Sequence, residues 1–272
     1  MKTDHERLIA RDETLAGMVE RWRRRLDPNA LPGLVKTTGS ARRTAEVSKS
    51  EMARYIGVST RWYSKLENGE EASFSEDFLD RLAYTLRLND AEKLALFHRA
   101  IGRGPTERGA EPDAMAAMDG DMQRLLAKML PSPAYISDLA WNVVAHNSPD
   151  RVMYPWVYSG NIMRWSFLYP EAREQLVNWE EDWAVPFLAQ IRTAAAQHPD
   201  HVQLKQLVQD IMEGCPEAQE IWDRHDYYVH PDGDVRYMRM PHGGDDKVPC
   251  RIMALAPLRN TTLRFIVSFH GV

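Results

Sequence analysis

The stretch VSKSEMARYIGVSTRWYSKLENG, residues 47–69, decides the fold of the first half of the chain. Ser48 and Glu51 have the spacing of a capping box, which predicts that a helix begins there. Gly57 is expected to end that helix, because a left-handed turn costs least at a residue without a Cβ. Ser59 then caps a second helix. Two short helices on so tight a turn predict a helix-turn-helix, whose second helix lies in the major groove of DNA.

The second helix of this unit has a polar side suited to nucleic acid. A helical wheel directs Tyr63 and Leu66 inward and Arg61 outward, with Trp62 at the boundary and packed on a neighbouring helix. An arginine can donate two hydrogen bonds to guanine, and a lysine more often holds a phosphate. An ion pair of Arg61 with Glu67 or Glu70 is the structural alternative. The residues predicted to contact DNA are Thr60, Arg61, Ser64, Lys65, Lys49 and, in a polar loop, Arg42 and Arg43.

The charge distribution is consistent with this interpretation but does not decide it. The whole chain has a net charge of −5, yet residues 1–110 have a net charge of +3 and residues 111–272 one of −8. Residues 21–65 contain eleven basic and three acidic residues, the footprint expected of a surface that faces a polyanion. The three arginines of residues 23–25 are expected mostly opposite the apolar face of their helix. A solvated basic face remains the alternative.

Further helices complete an all-α domain over residues 1–102. A helix is predicted within 13–26, and capping boxes are predicted at 73–76 and 89–92, with Gly102 as the final stop. The five helices resemble those of the phage-repressor-like (xenobiotic-response-element) regulators. Residues 103–114, rich in Gly, Pro and charge, are predicted to be a linker.

Residues 115–272 predict an α+β domain with an antiparallel sheet. Two strands joined by a turn are expected in 133–147, and three more in 235–240, 250–258 and 263–272. Helices are expected between the early and the late strands. In the last strand, Phe265 alternates inward, whereas Arg264 and Ser268 are expected to point out. Asn178 and Glu181 predict a helix start, and Pro186 is expected to kink that helix or to loosen its hydrogen bonding.

The second domain is rich in tryptophan, which indicates a packed core or a ligand cavity. Trp179, Trp183 and Phe187 recur at intervals of four on the kinked helix, facing the sheet. If they line a cavity, a few polar residues are expected to hold the head group of a ligand. The residues predicted to contact a ligand are Trp141, Asn147, Trp165, Trp179, Trp183, Phe187, Tyr237, Arg251, Met253 and Phe265.

Several classes of protein are disfavoured by what the sequence lacks. It contains none of the common hydrolase, nucleotide-binding, zinc-protease or dinucleotide-binding motifs, so we expect neither an enzyme nor a cofactor. Two distant cysteines indicate neither a disulfide framework nor a zinc site. No membrane span or secretory signal is visible, and a cytoplasmic location is expected. The histidines in 198–201 and 223–242 are interpreted as structural, with metal binding as the alternative.

Several segments, in order along the chain, resemble the MmyB-like transcription regulators. They are PAYISDLAWNVVAHN (133–147), YPEAREQLVNWEEDW (169–183), QIRTAAAQHPD (190–200) and CPEAQEIWDRHD (215–226), and the helix-turn-helix carries the Trp-Tyr variant of that family. The resemblance implies a PAS-like ligand-binding domain, with fatty-acid-like ligands for some members. Two segments depart from the family pattern, the aromatic-rich 148–165 and the loop 242–249, so the shape of the pocket is expected to differ.

These observations together predict a DNA-binding regulator whose second domain senses an apolar, fatty-acid-like molecule. One helix-turn-helix reads only a few base pairs, so a homodimer on a repeated double-stranded DNA operator is expected. The alternative is a second domain that binds a partner protein and no metabolite.

Overall fold

A computed structural model describes residues 14–28, 31, 46–70, 73–105, 118, 120–147, 159–224, 233–240, 246–258 and 260–271. The chain divides into two compact units, Met1–Glu107 and Arg108–Val272, except that Tyr169–Glu171 groups with the first. Arg42, Arg43 and most of the predicted linker, from residue 106 onward, lie outside the described residues.

The described part of the first unit is helical. Its elements are α1 (Leu15–Arg24), α2 (Lys49–Tyr55), α3 (Thr60–Asn68), α4 (Glu76–Thr85) and α5 (Asp90–Ile101). The capping boxes at Ser48 and Asn89 and the glycine cap at Gly102 are confirmed. The predicted box at 73–76 is wrong by two residues, because Ser75 caps α4 and accepts from the Phe78 N–H at 3.2 Å.

Apolar side chains from all five helices form the core of the first unit. Trp22, Met52, Tyr63, Leu82 and Phe97 are all buried in one cluster. The Trp62 ring packs edge-on against a neighbouring helix, with its centroid 4.4 Å from that of Phe78. The predicted inward faces of α2 and α3 are therefore confirmed, and the aromatic boundary residue belongs to the packing.

The second unit has an antiparallel sheet with helices inserted between its second and third strands. The sheet order is β2-β1-β5-β4-β3. Its strands are β1 (Ala134–Ser137), β2 (Val143–His146), β3 (Val235–Arg239), β4 (Lys247–Leu255) and β5 (Arg264–His270). Its helices are α6 (Gly120–Lys128), α7 (Ile162–Leu168), α8 (Pro170–Gln175), a π-helix (Trp179–Ala184), α9 (Val185–Gln197), α10 (Val202–Gly214) and α11 (Pro216–Trp222).

The alternation of β5 and the inward direction of Phe265 and Val267 are confirmed, but the prediction that Arg264 and Ser268 point out is wrong. Phe265 and Val267 pack in a small cluster with Leu126 of α6. The other face, with Ile266 and Ser268, lines a cavity. Both faces of this strand are therefore covered. The more apolar face, with Phe265 and Val267, packs against α6, and the other face meets the cavity.

A helix begins directly after Asn178 as predicted, but the predicted capping box does not form. Asn178 has a positive φ of 50° and its side chain caps nothing. A π-helix follows, and the N–H of Val185 donates to the carbonyl of Glu180, five residues back. Pro186 lies in the first turn of α9, where it cannot donate a hydrogen bond to a carbonyl of the preceding π-helix. The proline therefore marks a change of helix type and does not kink a continuous α-helix.

Two features of the described residues bear on the classes considered above. None of their helices is both long enough and apolar enough to cross a membrane. Nor do three or more His, Cys, Asp or Glu side chains in the described ranges come together as metal ligands would. His201 caps α10, accepting from the Leu204 N–H at 3.3 Å.

Candidate functional site

Short-range hydrogen bonds hold the turn between α2 and α3. Gly57 has a φ of +72°, the left-handed conformation expected of it. The N–H of Val58 donates to the carbonyl of Ala53 at 2.9 Å, which closes the turn. Ser59 caps α3 by accepting from the Trp62 N–H at 3.2 Å. The angle at which α3 leaves the turn is thus determined by the turn itself and by the core beneath it.

The predicted DNA-contacting residues of α3 lie on its outer side. Thr60 and Arg61 are exposed, and Ser64 and Lys65 are half-buried. Arg61 forms no hydrogen bond or ion pair with any residue that the structure describes. The alternative ion pairs of Arg61 do not form, because each candidate acid has another partner. The Lys65 Nζ lies 3.8 Å from the Glu70 Oε2.

Glu67, the other candidate acid, is buried against α1. Arg23 donates to both of its carboxylate oxygens, at 2.6 and 3.0 Å, and to the carbonyl of Val47 at 2.7 Å. The Lys49 Nζ lies 3.5 Å from the same carboxylate. Burial raises the pKa of Glu67, but the hydrogen bonds and charge of Arg23, together with Tyr63 and Lys49, outweigh it and hold that pKa below its ordinary value. This ion pair fastens α1 and the start of α2 to α3.

The arginines of α1 and its C-cap are therefore not a free basic face. Arg23 is only 7% exposed, which contradicts its predicted outward position. Arg24 pairs with Glu20 at 3.1 Å, and Arg25 donates to Glu92 at 2.7 Å. Part of the basic excess near the helix-turn-helix is thus neutralised inside the unit.

The second unit contains an apolar cavity of about 250 Å³ between the sheet and the inserted helices. Trp165 and Trp183 lie on its helical side and are almost completely buried. The other lining residues come from the sheet, the helices and two loops: Tyr135, Trp141, Ile162, Met163, Ser166, Leu176, Phe187, Gln190, Met238, Ile252, Ala254, Leu255, Ala256, Thr261, Arg264, Ile266 and Ser268. Aromatic and aliphatic side chains surrounding a space of this kind are typical of a small-molecule site.

Four of the ten predicted ligand residues line this cavity, namely Trp141, Trp165, Trp183 and Phe187. Trp179 does not, because its indole nitrogen donates to the carbonyl of Ser166 at 2.8 Å and its ring packs on Phe167. The π-helix causes this difference, since side chains four apart no longer share a face where a turn contains an extra residue.

The remaining predicted ligand residues lie elsewhere. Phe265 is in the cluster beneath α6, and Met253, 43% exposed, lies on the same face of the sheet. Tyr237 and Arg251 are also exposed and are not among the lining residues. Asn147 is a structural residue, because its side chain accepts from the Ala134 N–H at 2.8 Å and donates to two carbonyls.

A hydrogen-bonded loop between β1 and β2 presents Trp141 to the cavity. The carboxylate of Asp138 accepts from the backbone N–H groups of Ala140 and Asn142, both at 2.9 Å. The side chain of Asn161 donates to Ala140 and Asn142, both at 2.8 Å. Trp141 adopts a φ of +61°, which is unfavourable for a bulky residue and persists only where neighbours enforce it. The loop network supplies that constraint.

Arg264 is the charged lining residue among those that sequence reasoning missed. Its guanidinium lies 4.1 Å from the ring centre of Trp141, and its Nη1 donates to the carbonyls of Asp138 and Leu139, both at 2.9 Å. Burial lowers its pKa to about 10, against the opposing influence of Asp138. The apolar Ile266, next but one along β5, was the signal that this face is also covered.

Three other polar lining residues, Ser166, Gln190 and Ser268, have partners within the domain. The hydroxyl of Ser166 donates to the carbonyl of Ile162 at 2.8 Å, and the amide of Gln190 donates to that of Pro186 at 3.2 Å. The hydroxyl of Ser268 lies 3.0 Å from the Nε2 of His270, whose pKa burial lowers to about 4, so the imidazole is neutral near pH 7. Among the lining residues, Arg264 is the charged one.

Comparison with protein families accounts for both units. The model of the MmyB-like transcription regulator ligand binding domain matches residues 118–271, and a helix-turn-helix domain model matches residues 39–96. No curated protein is similar enough to the chain to count as a relative. The first model covers more than half of the chain and the second contains α2 and α3. The chain therefore belongs to the MmyB-like transcription regulators, with a DNA-binding helix-turn-helix ahead of a ligand-binding domain.

Proposed function

We propose that the second domain binds an apolar, fatty-acid-like molecule in its cavity and that this binding changes the affinity of the helix-turn-helix for DNA. The observation that carries the proposal is the cavity itself, which lies within the residues matched by the ligand-binding family model. Only a ligand that binds two states of the protein with different affinities can shift the balance between them.

The size of the cavity favours a medium-length chain. If a methylene occupies about the 30 Å³ of a water molecule in the liquid, the cavity of about 250 Å³ accommodates on the order of eight such groups. Each methylene transferred from water contributes roughly 0.8 kcal/mol. The sheet order β2-β1-β5-β4-β3, with helices between the second and third strands, supports the PAS-like character expected of this domain.

For the first domain, we propose that the outer side of α3 reads DNA. The exposed Arg61 carries the base contact, Thr60 and Ser64 lie beside it, and Lys65 and Lys49 supply charge near the phosphates. Arg42 and Arg43 are proposed as phosphate contacts from the sequence alone. The protein acts as a homodimer of the phage-repressor-like kind, since two helices about 34 Å apart are needed for a specific site.

A ligand titration with a blocked variant tests the ligand proposal. Saturated fatty acids of increasing length are added to the full chain, and tryptophan fluorescence, melting temperature and binding to a DNA site selected from a random pool are measured. A ligand at a hundred times its Kd stabilises the folded state by about 2.7 kcal/mol. Ala254→Phe fills the cavity and is expected to abolish the response, whereas Met253→Phe, on the opposite face of β4, preserves it.

One observation favours the alternative of a protein-binding domain. The side chains of Val235, Tyr237, Met253 and Leu255 leave an apolar area exposed on β3 and β4. Exposed apolar patches mark surfaces for protein partners. If no fatty acid alters fluorescence, melting temperature or DNA binding, the ligand proposal is abandoned in favour of this alternative.

A further inference from the structure

We infer that Arg264 binds an anionic head group, so that the cavity selects single-chain amphiphiles with a carboxylate over neutral ones of the same length. This inference rests on the proposed function, because it names the class of molecule that the same cavity takes. It also assigns the specificity to one residue, which lies at the start of β5 between the cavity and the loop that carries Trp141.

The positively charged guanidinium of Arg264 is partly buried. Taking a guanidinium partly out of water is unfavourable unless an opposite charge compensates it. Within the residues that the structure describes, no ion pair joins Arg264 to an acid. The carboxylate of Asp138, whose backbone carbonyl Arg264 binds, accepts from the backbone N–H groups of Ala140 and Asn142 and from the Asn142 amide. A ligand carboxylate would supply the missing direct partner.

The guanidinium of Arg264 is held in a fixed orientation that leaves one of its edges free. The Nη1 of Arg264 is held by two carbonyl groups and its guanidinium plane by the ring of Trp141. The Nε and Nη2 of Arg264 donate to none of the described residues. Neither nitrogen is fully buried, so both are accessible to a ligand. A fixed guanidinium with one free edge has the fork arrangement that binds a carboxylate through two parallel hydrogen bonds.

The exposure of the lining residues indicates how an amphiphile would be oriented in the cavity. Thr261, three residues before Arg264, and Leu255, paired with Phe265 next to it, line the cavity and are exposed, whereas Trp165 and Met238 are only 2% and 3% exposed. The charged residue is thus accompanied by exposed lining residues, and the deeply buried walls are apolar. An amphiphile fits with its head at Arg264 and its chain against the buried aromatic and methionine side chains.

The test compares three probes with the same ten-carbon chain: decanoate, methyl decanoate and 1-decanol. Dissociation constants are measured on the full chain by tryptophan fluorescence and calorimetry at pH 7.5. Hydrogen bonds to a charged partner predict that the wild type binds decanoate about tenfold more tightly than the ester. In Arg264→Gln the preference is expected to fall below about twofold while the ester binds as before.

Arg251→Gln is the matched control, because Arg251 lies exposed on the neighbouring strand and its loss changes the net charge equally. It is expected to retain the full preference for decanoate. Arg264→Lys keeps the positive charge and is expected to restore part of the preference. The wild-type comparison of acid, ester and alcohol needs no substitution, so it decides the matter even if an Arg264 variant fails to fold.

The outcomes separate this inference from the proposed function. If the acid, the ester and the alcohol bind the wild type equally well, the anionic head group is excluded and an apolar ligand site stands. If Arg251→Gln removes the preference and Arg264→Gln does not, the anchor has been misassigned. If none of the three probes binds, both the inference and the proposed function are overturned.

Discussion

Two arginines, one in each unit, are removed from water in different ways. Arg23 is buried against Glu67, which accepts two of its hydrogen bonds, so the charge is neutralised within the protein. Arg264 is held by two carbonyl groups and a ring, and no ion pair to a described acid is present. Arg23 thus stabilises the packing of its helices, whereas Arg264 presents its charge to a molecule that enters the cavity.

The largest effect on stability is expected when Arg23 loses its acid, because Arg23 would then lack an ion-pair partner as Arg264 does. Glu67→Ala leaves Arg23 buried without its partner, and loss of one member of a buried pair costs on the order of 3–5 kcal/mol. Hydrogen exchange of amides in α1 and α3 measures this, with the β-sheet amides as an internal reference. Glu20→Ala, which removes the partner of the exposed Arg24, should cost less than about 1 kcal/mol.

The same pair predicts a dependence on pH. The pKa of Glu67 is lowered in the folded state, so its contribution to stability is present above the ordinary value of 4.5 and is lost as the pH falls through the folded value. The double variant Arg23→Met with Glu67→Leu should recover much of the stability and lose this acid sensitivity. Equal acid sensitivity in the wild type and the double variant would show that other carboxylates dominate.

An arginine with neither an acid nor a burial constraint gives the third case. Arg61 is exposed and has no partner among the described residues, so Arg61→Ala should leave stability unchanged. It should weaken binding to the selected DNA site by about 1–3 kcal/mol, the value of a bidentate base contact. Lys93→Ala on α5 removes the same charge and serves as the control. Undiminished binding by Arg61→Ala would exclude this side of α3 as the reading surface.

The smallest effect is expected at the exposed pair of Lys65 and Glu70. Both side chains are about half exposed, so Glu70→Ala should change the free energy of unfolding by less than about 0.5 kcal/mol. It frees the Lys65 ammonium, and binding to DNA of any sequence should strengthen a few-fold at low salt. The gain should vanish as salt is raised. A gain confined to the selected site, or one that persists at high salt, would contradict a phosphate contact.

Local signals sufficed for the first unit because its helices are started and stopped by neighbours in sequence. Ser48, Ser59 and Asn89 cap helices, and Gly57 and Gly102 end them, through bonds that span three to five residues. Such bonds are visible in the sequence as fixed spacings. Arg23 is the exception, since its burial depends on an acid 44 residues away, which no spacing shows.

The second unit was less predictable because its cavity is formed by distant elements. The strands and the order of the helices follow from periodicity, but the choice of face does not when α6 covers one side of the sheet and α7 and α9 cover the other. For that reason Phe265 was predicted to line the cavity and Arg264 to point out, whereas Arg264 lines the cavity and Phe265 packs in the cluster with α6. Trp179 was misplaced because interval counting assumes an α-helix throughout.

The π-helix has a consequence for the tolerance of this segment to changes in length. It contains more residues per turn than an α-helix, so a chain shorter by one residue between Glu180 and Asp182 could close the same turn as ordinary α-helix. Each α-helical residue rotates the chain by about 100°. Trp179 and Trp183 would then be three residues apart instead of four, so Trp183, which lines the cavity, would change its orientation relative to Trp179. A single deletion here would alter the shape of the cavity without removing any residue that lines it.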